Sequence, residues 1–168
     1  MRFIVLFFML ISALTYGQGE RTILYAKATE FGYRNQFKEA ENILSQVIAI
    51  CPKDSIAYFD RAIMRENLGD TLGAISDLTK EIEIDPKSAD NYFLRGMLYH
   101  KMKMYQEALE DFQKVNQLDA GNADSHYFTA QLHLVLQKNT FWAKRQLKYC
   151  LRINSSHDGA KKLMDQIG

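Results

Sequence analysis

The chain of 168 residues contains 21 basic and 20 acidic residues, and 47% of its residues are hydrophobic. A chain of this length can bury a core of its own as one domain. Its formal net charge of +1 gives no overall electrostatic reason to expect a nucleic-acid or anionic lipid partner, so we predict no nucleic-acid binding.

The N-terminal segment 1–17 differs from the rest of the chain. Arg2 is followed by the apolar run 3–14 and by Thr15-Tyr16-Gly17, the pattern of a secretory signal peptide. The run is shorter than the about 20 residues of a membrane-spanning helix. We therefore predict a signal peptide at 1–17, cleaved near Gly17, with a core helix or a membrane anchor as the alternative. Residues 18–168 would then form one extracytoplasmic domain, periplasmic or secreted, without stable membrane insertion.

Residues 55–122 contain the same pattern twice. Ser55–Ser88 aligns with Ala89–Asn122 without a gap, so the pattern recurs with a period of 34, which is typical of stacked supersecondary units. Apolar residues recur at helical spacing within each unit. Leu68-Gly69-Asp70 interrupts the first copy midway, because Gly ends helices and Asp caps them. Each unit is therefore predicted to be two antiparallel helices joined by a tight turn.

The same period extends in both directions. It predicts further units at 21–54 and 123–156, the latter with one inserted residue in the turn around 137–140. Residues 157–167 form a last amphipathic helix, which we expect to cap the array because terminal units need a polar outer face. The positions that precede the first helices, also one period apart, are predicted N-caps: Asp54, Ser88 and Asn122.

These units resemble the tetratricopeptide repeat, whose signature has an aromatic, a small residue and Tyr in the first helix, then Ala-x3-Phe and Pro. The first copy supplies Tyr58, Ala62, Ala74, Leu78 and Pro86, and the second supplies Tyr92, Gly96, Tyr99, Ala108 and Phe112. Ala120 stands where Pro is usual. The resemblance implies an all-α fold, a right-handed α-solenoid of four helix hairpins plus a C-terminal capping helix. Gly96 and Ala74 are predicted to lie where helices approach closely.

An aromatic residue recurs once per unit at the interval of the repeat, and polar or apolar residues follow it on the same helices. In the family that the sequence resembles, these positions line a concave groove that binds peptides or partner helices. Repeated aromatics on an open surface offer a large contact area. The candidate partner-binding residues are Tyr25, Thr29, Phe59, Ile63, Glu66, Asn67, Phe93, Met97, His100, Lys101, Tyr127 and Gln131. The alternative is that the aromatics only fill gaps between neighbouring first helices.

Two further expectations concern charged groups. Chaperone-tail binders of this family hold a C-terminal carboxylate with Lys and Asn, whereas the matching positions here carry aromatic residues, Thr29 and Ile63, so we expect no carboxylate clamp. Arg61 and Arg95 are also one period apart. We expect their stems to cover a neighbouring helix and their heads to face water, with an acidic partner as the alternative.

The sequence contains no motif for catalysis, such as a Gly-rich phosphate loop or His-Glu-x-x-His. His126 and His133 lie two helical turns apart, roughly 10 Å, which is too far for one shared metal ion. Cys51 and Cys150 are three units apart, so we predict two unbridged thiols, with Cys150 buried. We therefore predict no enzyme activity, no cofactor and no metal site.

Three functions follow in order of preference. The first is an exported adaptor that binds a protein or peptide in its groove. The second is a structural subunit of a cell-envelope assembly, held by its outer faces or ends. The third is a hydrolase or metal enzyme, for which the sequence supplies no convergent catalytic groups.

Overall fold

The computed structural model describes the backbone of residues 2–168 and the side chains of residues 18–168. All regular structure in this range is helical, which confirms the predicted all-α repeat fold. The helices are α1 (Arg2–Tyr33), α2 (Phe37–Ile50), α3 (Ser55–Asn67), α4 (Thr71–Ile84), α5 (Ala89–Lys101), α6 (Tyr105–Leu118), α7 (Ala123–Gln137), α8 (Thr140–Ile153) and α9 (Asp158–Gln166).

The helix starts reproduce the period of the sequence. Helices α2, α4 and α6 begin at Phe37, Thr71 and Tyr105, each one period after the last, whereas α8 begins one residue late at Thr140. The reason is that α7 has 15 residues where α5 has 13, while the turn that follows α7 has lost one residue. Lys138 closes this shortened turn in the left-handed conformation, with φ 48°. The predicted insertion near 137–140 is thus confirmed.

Side chains cap most of the predicted helix starts. The Asp54 carboxylate accepts a hydrogen bond from the Ala57 amide at 3.2 Å, and the Asn122 carboxamide oxygen accepts one from the Ser125 amide at 2.9 Å. Ser88 occupies the corresponding position before α5, but its side chain makes no capping hydrogen bond, so that prediction was wrong. Asp90 instead places a negative charge in the first turn of α5, where it favours the exposed amides.

The turn between α3 and α4 follows the sequence closely. Gly69 adopts φ +81°, which costs residues with a Cβ but not glycine. Asp70 accepts a hydrogen bond from the Gly73 amide at 2.9 Å and so caps α4.

The helices form two compact units, Met1–Ile84 and Asp85–Gly168. In the first unit α1 pairs with α2 and α3 with α4, and α2 packs against α3. In the second unit α5 pairs with α6 and α7 with α8, α6 packs against α7, and α9 packs on α8. The extent of one domain over 18–168 and the handedness of the array stay predictions.

Small residues allow close packing inside each hairpin. Ala74 is fully buried in the first unit. In the second unit, a Cβ built on Gly96 would lie 3.2 Å from the Cβ of Asp111 and 3.2 Å from the ring of Phe112. A larger residue at 96 would push α5 away from α6, as the sequence predicts.

Helix α9 covers the end of the second unit. His157 caps it by accepting a hydrogen bond from the Ala160 amide at 3.0 Å. Ala160 is buried with Cys150, and Leu163, Met164 and Ile167 pack against them. The predicted capping role of 157–167 is confirmed.

Both cysteines are free thiols, as predicted, and Cys150 is buried. Burial raises the pKa of Cys150 to about 11. The predicted signal peptide, residues 1–17, lies outside the residues whose side chains are described. No helix among the described residues is long and apolar enough to span a membrane.

The arginine heads do not face water, so that expectation was wrong. The guanidinium of Arg61 donates to both carboxylate oxygens of Asp77 at 2.8 and 2.6 Å, and Arg95 makes the same bidentate pair with Asp111 at 2.8 and 2.7 Å. Both carboxylates are buried, and an ion that is removed from water in this way needs a partner of opposite charge. Each pair ties the first helix of a hairpin to the second.

Candidate functional site

The first unit contains an open cleft between α1, α2 and α3. Its volume is about 320 Å³. Its floor and walls are largely apolar, with a few polar groups at fixed places. It is lined by Ala28, Thr29, Gly32, Tyr33, Phe37, Leu44, Asp60, Ile63, Met64 and Asn67. A volume near the lower end of the range for ligand pockets fits one or two side chains rather than a folded partner.

The matching space in the second unit is filled. Positions that lie two periods apart in the sequence occupy equivalent places in the two units, so Asp60 corresponds to Phe128 and Gly32 to His100. The Phe128 ring stacks on Phe112 with centroids 5.0 Å apart, and its centroid lies 5.6 Å from that of His100. Two bulky rings therefore occupy the space that a carboxylate and a glycine leave open in the first unit.

Gly32 is the residue that most directly opens the cleft. A Cβ built at Gly32 would meet only the end of the Met64 side chain, with Cε at 3.6 Å and Sδ at 3.8 Å. This is ordinary van der Waals contact, so α1 would accept a side chain here. The cleft therefore depends on the absence of that side chain.

Asp60 supplies a carboxylate to the cleft. Burial, with a smaller contribution from the nearby charge of Asp54, raises the pKa of Asp60 above its ordinary value. Among the described residues, no cation forms an ion pair with this carboxylate, and no buried side-chain oxygen there lacks a hydrogen-bond partner. The carboxylate of Asp60 is therefore still accessible from the cleft, where a cationic group could reach it.

Three of the candidate binding residues of the first unit line this cleft: Thr29, Ile63 and Asn67. Tyr25 does not, because it packs against the core of α1 and α2 and donates from its hydroxyl to Asp54 at 3.2 Å. The Glu66 carboxylate accepts a hydrogen bond from the Thr71 hydroxyl at 3.2 Å, at the start of α4. Phe59 is half-buried and lies outside the lining of the cleft.

The candidate residues of the second unit are mainly packing residues. Phe93 makes edge contacts with Phe112 and Phe128 at centroid distances of 5.7 and 6.3 Å, and Met97 packs in the same cluster. His100 lies 5.7 Å from the Tyr105 ring. Because Phe128 belongs to α7 and Phe93 to α5, aromatic rings here fill the gap between neighbouring first helices.

Two more candidates of the second unit lie at its C-terminal end. The Gln131 amide donates to the Tyr127 hydroxyl at 2.9 Å. The Tyr127 ring contacts His157 with a centroid distance of 4.7 Å. Lys101 is exposed at the end of α5. The alternative of gap filling thus describes this unit better than an open aromatic strip.

The histidines of α7 also belong to packing. Nδ1 of His126 lies 2.7 Å from the Gln146 side-chain oxygen, and that of His133 lies 3.2 Å from Gln137. Both are largely buried. No group of three or more metal-ligating side chains occurs among the described residues.

Comparison with known proteins agrees with this architecture. Residues 78–110 match the tetratricopeptide repeat family, and no curated protein gave a significant match. A tetratricopeptide repeat protein from Parabacteroides merdae superposes with a TM-score of 0.81 at 19% identity, covering 89% of this chain and 59% of that one.

Two further structures carry information about ligands in their own descriptions. YrrB, a TPR protein with an unusual peptide-binding site, has a TM-score of 0.74 at 20% identity and covers 86% of this chain and 74% of its own. The first TPR of Spaghetti (RPAP3), bound to the HSP90 peptide SRMEEVD, has a TM-score of 0.62 at 18% identity and covers 67% and 89%. At these identities the likeness concerns the fold. The chain is therefore an all-α repeat protein with the fold of tetratricopeptide repeat proteins.

Proposed function

We propose that this protein is an interaction scaffold that binds an extended segment of another protein, with a Lys or Arg side chain of that segment inserted in the cleft of the first unit. The observation that carries the proposal is the accessible carboxylate of Asp60 in an otherwise largely apolar cleft. Neither enzyme activity nor a cofactor is needed for this role.

The cleft suits a side chain that is apolar along its stem and charged at its tip. Lys and Arg bury their methylene groups against apolar surface and keep the charged head near polar groups. Ala28, Ile63 and Met64 supply the apolar walls, and Asp60 supplies the opposite charge. An ion pair in this partly desolvated place is stronger than one at an open surface.

The same carboxylate argues against binding of a C-terminal chaperone tail. A peptide such as SRMEEVD, which the Spaghetti repeat binds, would bring negative charges close to Asp60. Like charges at short range destabilise a complex. The fold is shared with peptide binders, whereas the charge of the cleft favours basic segments.

A display library of random peptides tests the proposal. Selection on the natural chain, with depletion on Gly32→Leu, should enrich peptides that contain Lys or Arg, because Leu at 32 fills the cleft. The matched control is Gly19→Leu, on the same helix, where a Cβ meets nothing within 4 Å. We expect the affinity of a selected peptide to fall by about tenfold or more in Gly32→Leu and to stay unchanged in Gly19→Leu.

Two results would contradict the proposal. One is a selection that enriches no peptide over the Gly32→Leu background. The other is equal affinity of the selected peptides for both leucine variants, which would place their binding site elsewhere. The SRMEEVD peptide serves as the control ligand and should not bind.

Export is a separate part of the proposal. The pattern at residues 1–17 supports a signal peptide with cleavage near Gly17, and hence an extracytoplasmic location. N-terminal sequencing of the protein isolated from its own cells should give Gln18 as the first residue. An N-terminus at Met1 or Arg2 would contradict cleavage.

A further inference from the structure

The near-neutral net charge of the chain conceals a strongly basic segment. Residues 125–157 contain no Asp or Glu but five basic residues: Lys138, Lys144, Arg145, Lys148 and Arg152. Among the described residues, none of these five forms an ion pair with an acidic side chain. The positive charge of α8 and of the turn before it is thus available to a partner.

Large apolar side chains are exposed at the same end of the hairpin. Four of them flank the two-residue turn between α7 and α8, with exposed fractions of 57% for Val135, 39% for Leu136, 70% for Phe141 and 39% for Trp142. An exposed apolar cluster bordered by charged residues usually marks an interaction site.

The basic groups continue from this apolar cluster along one face of α8. Phe141, Arg145, Lys148 and Arg152 follow one another at helical spacing, on a side that points away from the buried Leu147. The guanidinium carbon of Arg145 lies 5.0 Å from the centroid of the Trp142 ring. This cation–π contact holds a positive charge beside an aromatic ring at the surface.

We propose that this surface, formed by the α7–α8 turn and the basic face of α8, docks onto an anionic phospholipid bilayer. The apolar side chains of the turn would enter the interface between headgroups and acyl chains, and the Lys and Arg side chains would meet the phosphates. Aromatic and aliphatic side chains next to clustered Lys and Arg are the composition of interfacial membrane contacts.

This mixture favours a bilayer over other anionic partners. A nucleic acid would use the basic groups and could stack on the aromatic rings, but it offers no apolar environment for the aliphatic side chains of Val135 and Leu136. An acidic protein would need a surface shaped to receive four projecting side chains, whereas a bilayer interface adapts to them. The contact is peripheral and independent of the cleft of the first unit.

The chain contains a single tryptophan, Trp142, so its fluorescence reports on this surface alone. The experiment adds the full chain to vesicles of phosphatidylglycerol and phosphatidylcholine in equal amounts, and in parallel to vesicles of phosphatidylcholine alone. We expect a shift of the Trp142 emission to shorter wavelength, and quenching by brominated acyl chains, with the anionic vesicles only. Added salt should weaken both effects.

Substitutions separate this surface from the rest of the chain. Lys148→Gln should weaken binding to anionic vesicles by about fivefold, as expected for the loss of one basic group near a charged membrane. Lys27→Gln, an equal change of charge at an exposed site on α1, is the matched control and should have no effect. Phe141→Ser should abolish the emission shift while circular dichroism remains that of the natural chain.

Three results would overturn the proposal. Vesicle binding without any change in Trp142 emission would mean that residues 1–17, rather than this surface, contact the lipid. An emission shift with polyglutamate or duplex DNA but not with vesicles would assign the surface to an acidic protein or a nucleic acid. Equal losses of binding in Lys148→Gln and Lys27→Gln would indicate a general charge effect.

Discussion

The pair formed by Arg95 and Asp111 makes the strongest stability prediction. Their side chains are only 15% and 5% exposed, and two hydrogen bonds of 2.8 and 2.7 Å join them. Arg95→Met leaves the Asp111 carboxylate buried without its partner, which typically costs about 3–5 kcal/mol. For a chain of this size such a loss lowers the melting temperature by about 6–20 °C.

The double variant separates the pair from simple loss of packing. Replacement of both residues by apolar ones, Arg95→Met with Asp111→Leu, removes the buried charge together with its partner and should cost far less than the sum of the single changes. Urea unfolding followed by circular dichroism gives the free energy of unfolding of all four proteins. We expect a coupling energy of about 2–3 kcal/mol.

The stability of Arg95→Met should also depend on pH. Burial raises the pKa of Asp111, and Arg95 opposes this rise, so loss of Arg95 raises the pKa further. A carboxyl with a raised pKa in the folded state binds its proton more tightly there than in the unfolded chain. Stability is therefore lost as the pH rises through that pKa and recovered as the pH falls. The deficit of Arg95→Met should be largest at neutral pH and shrink toward acidic pH.

Two outcomes would refute this reasoning. A cost below about 1 kcal/mol for Arg95→Met would mean that the ion pair behaves like an exposed surface pair. Strict additivity in the double variant would mean that the two side chains act independently. Arg61 and Asp77 repeat the same arrangement in the first unit and provide an internal replicate.

Three further substitutions test the packing and the turns. Gly96→Val should destabilise the second unit by about 1–3 kcal/mol, because a Cβ there already lies 3.2 Å from Phe112, and a melting curve that matches the natural chain would contradict the close approach. Asp54→Ala removes the cap of α3 and the ion pair with Arg21, and we expect a loss of about 1–2 kcal/mol in urea unfolding, whereas an unchanged midpoint would mean that the cap is dispensable. Gly69→Ala should cost about 1–2 kcal/mol because φ is +81°, and a stabilised variant would show that the turn can adopt another conformation.

Local patterns in the sequence were sufficient to predict the helices and most of their ends. Apolar spacing, the Gly69 turn and the caps at Asp54 and Asn122 each depend on residues within a few positions of one another. Ser88 shows the limit of this approach, since the residue type fits a cap but the structure places no hydrogen bond there.

Contacts between helices were predicted less well. Asp77 and Asp111 lie one period apart, as Arg61 and Arg95 do, so the repeat contained a signal for the two ion pairs. That signal acquires meaning only once the hairpin register brings residues 16 positions apart into contact. An arginine considered alone at the surface gave the wrong answer.

The cleft depends on differences between repeats rather than on what they share. The sequence analysis followed the residues that recur, whereas the space in the first unit exists because Gly32 and Asp60 differ from His100 and Phe128. Comparison of positions two periods apart could have found these differences. Their consequence was not visible, because it requires the knowledge that the rings of His100 and Phe128 meet.

Isothermal titration calorimetry with two peptides tests the central claim, that Asp60 selects a basic side chain. A peptide selected for binding is compared with the same peptide in which norleucine replaces its Lys, on the natural chain and on Asp60→Asn. We predict that the natural chain prefers Lys by about 10- to 100-fold, the value of a charged hydrogen bond, and that Asp60→Asn loses this preference. An equal preference for Lys on both proteins would contradict the account.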